Sequence, residues 1–216
     1  ALAEIVKIPF GGQTLEQNWS WFNHLLMSPD GMRFIFLHRW RADVGTAETR
    51  ARTGFVTRLF TANLDGSDLY VLDPSGSTSH FIWRDPRHVC AWTKPEGCKA
   101  AFYLFEDKTP NVEIVGDGVM PINGHNTYLP IGDGSQWILN DTYPDRTRRQ
   151  TPYLVHIPSG RRVELGHFYL PPEYQGEWRC DLHPRCSRDG HTVAIDSPHG
   201  GQGRQVWLLD IRQVVS

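Results

Sequence analysis

His24-Leu-Leu-Met-Ser28-Pro-Asp-Gly31 and His183-Pro-Arg-Cys-Ser187-Arg-Asp-Gly190 share one pattern, a histidine, three residues, then Ser-x-Asp-Gly. A short β-rich stretch follows each, Arg33 to Leu37 in one case and Thr192 to Asp196 in the other. An Asp-Gly pair between two such stretches reads as a hairpin turn. One unit is therefore strand, turn, strand.

Two weaker copies lie between them. His80-Phe-Ile-Trp-Arg-Asp-Pro-Arg precedes His88 to Trp92, and His125-Asn-Thr-Tyr-Leu-Pro precedes Asp133-Gly134 and Gln136 to Asn140. The four histidines are 56, 45 and 58 residues apart, a step that suits one four-stranded blade of a β-propeller with its loops. Each unit continues into a third strand, at Arg58 to Asn63, Ala100 to Glu106, Pro152 to Ile157 and Arg204 to Asp210. Three units add a fourth strand, at Asp68 to Leu72, Val112 to Val115 and Arg161 to Leu165, and the last unit stops short of one. The expected fold is all-β, a single propeller domain over residues 1–216 with about four blades, either complete or part of a larger propeller. Glu4 to Ile8 is expected to be a further strand, pairing with Arg204 to Asp210 or with another blade. Arg41 to Gly54 lacks periodicity and reads as a long loop between strands of the first unit. Fifteen prolines and twenty glycines leave little room for a long helix.

Composition narrows the function classes. Lys and Arg number 22 against 24 Asp and Glu, so the chain has no basic field and nucleic acid is not an expected partner. No apolar window approaches the length of a membrane helix, and no membrane role is expected. Ala1 to Phe10, with Lys7 its only base, does not read as a signal peptide. Four cysteines are too few for a disulfide framework, and a Cys90 to Cys98 bridge is allowed rather than required. Eight Trp, seven Tyr and ten Phe supply packing between sheets, and also the flat faces on which sugar rings stack.

The His-x3-Ser-x-Asp-Gly units, with the strand Gly-Arg-Gln-Val-Trp-Leu-Leu-Asp ending at Asp210, resemble TolB-type propeller repeats over nearly the whole chain. His80, His125 and the stretch Trp178-Arg-Cys-Asp-Leu-His183-Pro-Arg185 resemble the oligogalacturonate lyases, propeller enzymes that cleave pectic uronides by β-elimination at a manganese site. That resemblance implies a histidine base at His80 and a divalent metal, manganese in that family, on His125 and His183. Its two remaining ligand positions fall at Cys180 and Arg185, where the family has Gln and His. Ulvan lyases, propellers with a catalytic tyrosine, suggest Tyr143 as its analogue.

The residues themselves support acid-binding chemistry. Corresponding positions of repeats project toward one part of a propeller, so the four histidines are expected at one end of its channel. A repeat histidine is either fixed by the fold or functional. Arginines cluster around two of them, Arg84 after His80 and Arg179 and Arg185 around His183. A guanidinium offers a planar fork to a carboxylate, and Arg179 or Arg185 would engage a uronate and acidify its C5 proton for a neutral histidine to remove. Tyr143 or His199 would donate a proton to the leaving oxygen. His24, Arg84, Trp178, Arg185 and His199 are candidate substrate contacts. Asp141 and Asp196 read as turn residues bonding local backbone. Cys180 and Cys186 read as core, because strand alternation turns them from His183 and disfavours a zinc site. Gly200-Gly-Gln-Gly203 lacks the helix that a phosphate loop needs. The expectation is a lyase on acidic oligo- or polysaccharide. The alternative is a non-catalytic TolB-like propeller binding protein or glycan at its channel face.

Overall fold

The computed structural model of the protein describes residues 2–42 and 54–215. Four antiparallel sheets follow one another along the chain. The first holds β1 (Asn18–Met27), β2 (Arg33–Ala42), β3 (Val56–Asn63) and β4 (Tyr70–Asp73). The second holds β5 (Phe81–Asp85), β6 (His88–Thr93), β7 (Ala101–Glu106) and β8 (Val112–Val115). In the third, β9 (Thr127–Tyr128) and β10 (Trp137–Asn140) are followed by a short β11 (Arg149–Gln150), which leaves the sheet before β12 (Tyr153–His156) and β13 (Arg161–Glu164) complete it. β11 pairs instead with β14 (Phe168–Tyr169) in a two-stranded ribbon. The fourth sheet has three strands, β15 (Arg185–Cys186), β16 (Thr192–Ser197) and β17 (Gln205–Asp210). The long loop expected from Arg41 falls at residues 43–53, outside the described residues; Arg41 and Ala42 belong to β2.

The two matching turns are built alike. Gly31 N–H donates to Ser28 O and Gly190 N–H to Ser187 O, each at 2.9 Å, while each serine hydroxyl bonds the following aspartate and accepts the N–H of Arg33 or Thr192 at 3.0 Å. Gly31 and Gly190 sit at φ 70° and 72°, where glycine alone is unstrained. Both turns close by local bonds, which is why they stand out in the sequence.

Successive strand residues face opposite ways, and the second and third sheets use this to bury both faces. Ile35, Leu37 and Leu59 pack with Val89, Ala91 and Tyr103 of the second sheet. Cys90, Phe102 and Leu104, on the alternate face, pack with Ile138, Tyr153 and Val155 of the third. Leu139 and Leu154 pack with Val193 and Ile195 of the fourth. Large side chains buried this way contribute roughly 1.5–3 kcal/mol each.

The first sheet's outer face is closed differently, and here the expected Glu4 to Ile8 strand is corrected. Leu2–Ile5 is a single helical turn, α1, and it pairs with neither β17 nor any other strand. Ile5 and Ile8, three apart and so on one side of a turn, cover Phe36, Phe60 and Ala62. The fully buried Arg58 anchors this segment, its guanidinium donating to Ile8 O and Pro9 O at 3.1 Å, to Ile5 O at 3.4 Å and to His38 Nδ1 at 3.2 Å. Burial, reinforced by the Arg58 charge, pushes the His38 pKa down from 6.5 to about 4. At the other end of the chain α2 (Arg212–Val215) follows β17, whose outward residues Val206 and Leu208 are exposed.

Candidate functional site

The innermost strands of all four sheets converge on a cavity of about 330 Å³, lined by His24, His80, His125, His183, Arg185 and neighbouring residues of those strands. His24 lies at a bulge, where the β1–β2 register slips between Asn23 and Leu26. His80 immediately precedes β5, while His125 and His183 each stand two residues before their strands. His24 and His183 have φ of 53° and 41°, a left-handed backbone that costs an L-residue about 1–2 kcal/mol. Strain of this kind collects at functional sites.

Ring centroids lie 4.2 Å apart for His80 and His125 and 3.8 Å apart for His125 and His183. Nδ1 of His80 is 2.9 Å from Asn123 Oδ1, while the Asn123 amide donates to Ser79 Oγ at 3.1 Å. Nδ1 therefore carries the proton and Nε2 the lone pair, 3.4 Å from the Tyr143 hydroxyl. Burial first, then the charge of His125, pushes the His80 pKa down from 6.5 to about 4. Burial likewise raises Tyr143. At neutral pH the pair is a neutral imidazole beside a neutral phenol.

Asp141 holds His125. Its carboxylate accepts the His125 backbone N–H at 2.7 Å and Nδ1–H at 2.9 Å, so it is no turn residue serving its own loop, and His125 Nε2 is left for another partner. Gly124 makes this possible, because a Cβ there would stand 2.0 Å from Asp141 O and 2.8 Å from Oδ1. Asp181, also buried, accepts Arg179 Nε at 3.0 Å and Nη2 at 2.8 Å on one oxygen, and its Oδ1 has no partner among the described residues. His125, Asp181 and His183 each offer one ligand atom within 4.8 Å of the others. Two imidazoles and a carboxylate suit a divalent transition metal. A carboxylate behind one ligating imidazole is the usual outer support, and the orphaned Asp181 Oδ1 is an oxygen for a cation to satisfy. These residues fit such an ion. Asp196 lies within β16, opposite Val206.

The remaining candidates are distributed as follows. Arg179 is engaged by Asp181 and lies over the Tyr143 ring at 5.1 Å. Arg185 lines the cavity and donates to Pro184 O. Arg84 pairs with Asp85 at 2.9 Å. The His199 ring sits between Phe168 and Trp207, with centroids 4.9 and 4.2 Å away, and burial lowers its pKa. Trp178 is 72% exposed and lines a separate cleft with Glu173, Tyr174 and Arg204. All four cysteines are free thiols; Cys180 is buried and joins no ligand cluster among the described residues.

Arg84, His199 and Trp178 thus stand apart from the histidines, while Tyr143, Arg179 and Arg185 stand with them. The sequence reading gave Asp141 a turn role and passed over Asp181, Gly124 and Arg39. Asp181 left a usable signal, since Asp181-Leu-His183 alternates two polar residues around a fully buried leucine.

No family profile matches the sequence and no curated protein matches it. Solved structures do match by shape. An oligogalacturonate lyase in complex with manganese superposes with a TM-score of 0.60 at 13% identity, over 93% of this chain and 53% of that one. TolB from Acinetobacter baumannii gives 0.60 at 15% identity, over 89% and 41%. The chain is a β-propeller. An oligogalacturonate lyase from Vibrio parahaemolyticus gives 0.53 at 12% identity, over 94% and 70%. The propeller spans about half the length of the first two structures. At these identities the likeness concerns the fold. No helix among the described residues is long and apolar enough to cross a membrane.

Proposed function

We propose that this propeller is a lyase that cleaves acidic, uronate-containing oligo- or polysaccharide by β-elimination. The observation that carries the reading is His80, a neutral imidazole whose Nε2 lone pair meets the Tyr143 hydroxyl at 3.4 Å beside the His125, Asp181 and His183 cluster. Nε2 of His80 takes the C5 proton, the C5–H electrons form the C4–C5 double bond, and the C4–O bond breaks. Tyr143, kept protonated by burial, gives its proton to the departing oxygen. Asn123 fixes the tautomer that leaves Nε2 free, and Arg179 stacks over Tyr143 while clamping Asp181. A divalent cation on His125, Asp181 and His183, manganese in the lyase neighbour, would supply Lewis acidity toward the substrate carboxylate.

An equal TM-score with TolB favours a second reading, a non-catalytic propeller that binds protein or glycan at the channel face. Metal analysis of purified protein, with unsaturated-uronide absorbance followed on a panel of acidic oligosaccharides, separates the two. The lyase reading expects bound metal and new absorbance. It expects His80→Ala to lose activity by about 10²–10⁴-fold with metal content retained, and His125→Ala or His183→Ala to lose both. Wild-type protein that forms no unsaturated product from any acidic oligosaccharide overturns it.

A further inference from the structure

Trp178 is the most exposed large hydrophobic side chain among the described residues, although tryptophan is on average a heavily buried residue. It does not stand alone. With Glu173, Tyr174 and Arg204 it lines a cleft of about 580 Å³, so that two aromatic rings share the cleft with a carboxylate and a guanidinium. The Arg204 guanidinium is 5.8 Å from the Tyr174 ring and 6.0 Å from that of Trp178, and it donates to Trp178 O. The loop that carries the rings is fastened at both ends. Upstream, the Arg148 carbonyl accepts the Leu170 N–H at 2.8 Å, and its guanidinium donates to Leu170 O at 2.7 Å, Pro171 O at 3.1 Å and Tyr174 O at 3.2 Å. Downstream, Gly176–Trp178 forms a 3-10 turn, and Arg179 is tied to Asp181 by two hydrogen bonds. Pro171 and Pro172 restrict the backbone further. An exposed indole on a fastened loop is a surface prepared for a ligand, because little freedom is lost when one arrives.

We propose that this cleft is a second saccharide-binding site, in which a pyranose ring stacks on the open indole of Trp178 and its hydroxyls meet Glu173 and Arg204. The ring belongs to the same chain whose scissile unit lies at the histidines. The proposal therefore rests on the saccharide reading of that cavity, and adds to it a preference for long chains over disaccharides. A pyranose presents a flat array of C–H groups on one face and hydroxyls around its rim, and a cleft of aromatic rings with a few polar groups matches that division. A carboxylate that accepts and a guanidinium that donates serve the two hydrogen-bonding roles of a hydroxyl. The two sites are continuous through one residue. Arg179 follows Trp178 in the chain, clamps Asp181 of the candidate metal cluster and lies over the Tyr143 ring. For a saccharide long enough to reach both, the second contact is intramolecular, and affinity rises through effective concentration with no change at the histidines.

The test is calorimetric binding of digalacturonate and of hexagalacturonate, made in a His80→Ala background so that the saccharides stay intact, with unsaturated product followed in parallel in the wild-type chain. The hexamer should bind more tightly than the dimer. Trp178→Ala should weaken the hexamer by about 10-fold and leave the dimer unchanged, and Trp178→Phe, which keeps a flat ring, should fall between. Arg204→Gln, which removes a polar partner from the same cleft, carries the test if circular dichroism shows Trp178→Ala unfolded. Equal affinity for the two lengths before Trp178 is changed, a length preference that survives its replacement, or a proline-rich peptide bound at Trp178 in place of any saccharide overturns the assignment. A length preference that depends on Trp178, in a wild type that makes no unsaturated product, leaves the cleft standing and removes the lyase chemistry. Product formed from both lengths at rates that Trp178→Ala does not alter removes the cleft and leaves the lyase.

Discussion

His24 in the first sheet and His183 in the fourth occupy the same place in the same eight-residue unit. Both take a left-handed backbone, and burial lowers the pKa of both. Their surroundings part company beyond that. Next to His24 stands Arg39, whose charge depresses it further; next to His183 stands Asp181, whose charge opposes the depression. A repeat can thus keep one backbone device and reverse the electrostatics around it by changing the residue that faces it. The strained histidine is shared, and the charge is local.

The largest effect that sharpens this contrast concerns metal binding. On the proposed metal site, Asp181→Ala removes a candidate ligand and should lower affinity for manganese by more than about 100-fold, while Asp141→Asn, which loosens the support of His125, should cost about 10- to 100-fold. His24→Ala should leave metal stoichiometry unchanged. Equal losses in the first- and fourth-sheet variants, read by metal analysis after dialysis, would break the contrast.

Gly124→Ala comes next. Its Cβ would press on Asp141, and overpacking of that severity costs on the order of 3 kcal/mol. Denaturant midpoints measure the loss, and metal content should fall with it because Asp141 must move.

What was legible in the sequence, and what was not, follows from the range of the interactions. The Ser-x-Asp-Gly turns close on themselves within five residues, so their hydrogen bonds are written locally, and the strands after them follow. His125 and Asp141 are sixteen residues apart, and nothing in either loop announces that they meet. Arg39 is an ordinary strand arginine until Phe55 and Asn23 are placed against it. Ile5 and Ile8 suit a strand or a helical turn equally; the buried Arg58, which needs carbonyl oxygens to bind, decides for the turn.

Acidification tests the first sheet in particular. The His38 pKa is about 4 folded and 6.5 unperturbed. Above pH 6.5 both states are neutral and the stability is complete. As pH falls toward 4 the unfolded chain takes up a proton that the native state refuses, and stability drops by roughly 1.4 kcal/mol per pH unit. His80, lowered in the same direction, adds to the slope. Urea midpoints from pH 7 to 4 should show the decline, and His38→Gln should flatten it; a pH-independent midpoint would contradict the burial of these rings.

The smallest expected effect belongs to the shared strain. His24→Gly and His183→Gly each relieve about 1–2 kcal/mol of left-handed strain, offset by about 0.5–1 kcal/mol of added backbone entropy. Both should therefore melt slightly higher than wild type while losing function. A gain at one position alone would show that the two backbones are not equivalent.

The apolar clusters join sheet one to two, two to three and three to four, and none among the described residues joins four to one. Such an arrangement behaves as a linear chain of nearest-neighbour couplings, in which each unit's persistence depends on how many neighbours it leans on. Among the described residues the second and third sheets have two such neighbours and the fourth has one. Amide exchange should then be graded along the polypeptide, fastest at β16 and β17, slower in β6, β7, β10 and β12.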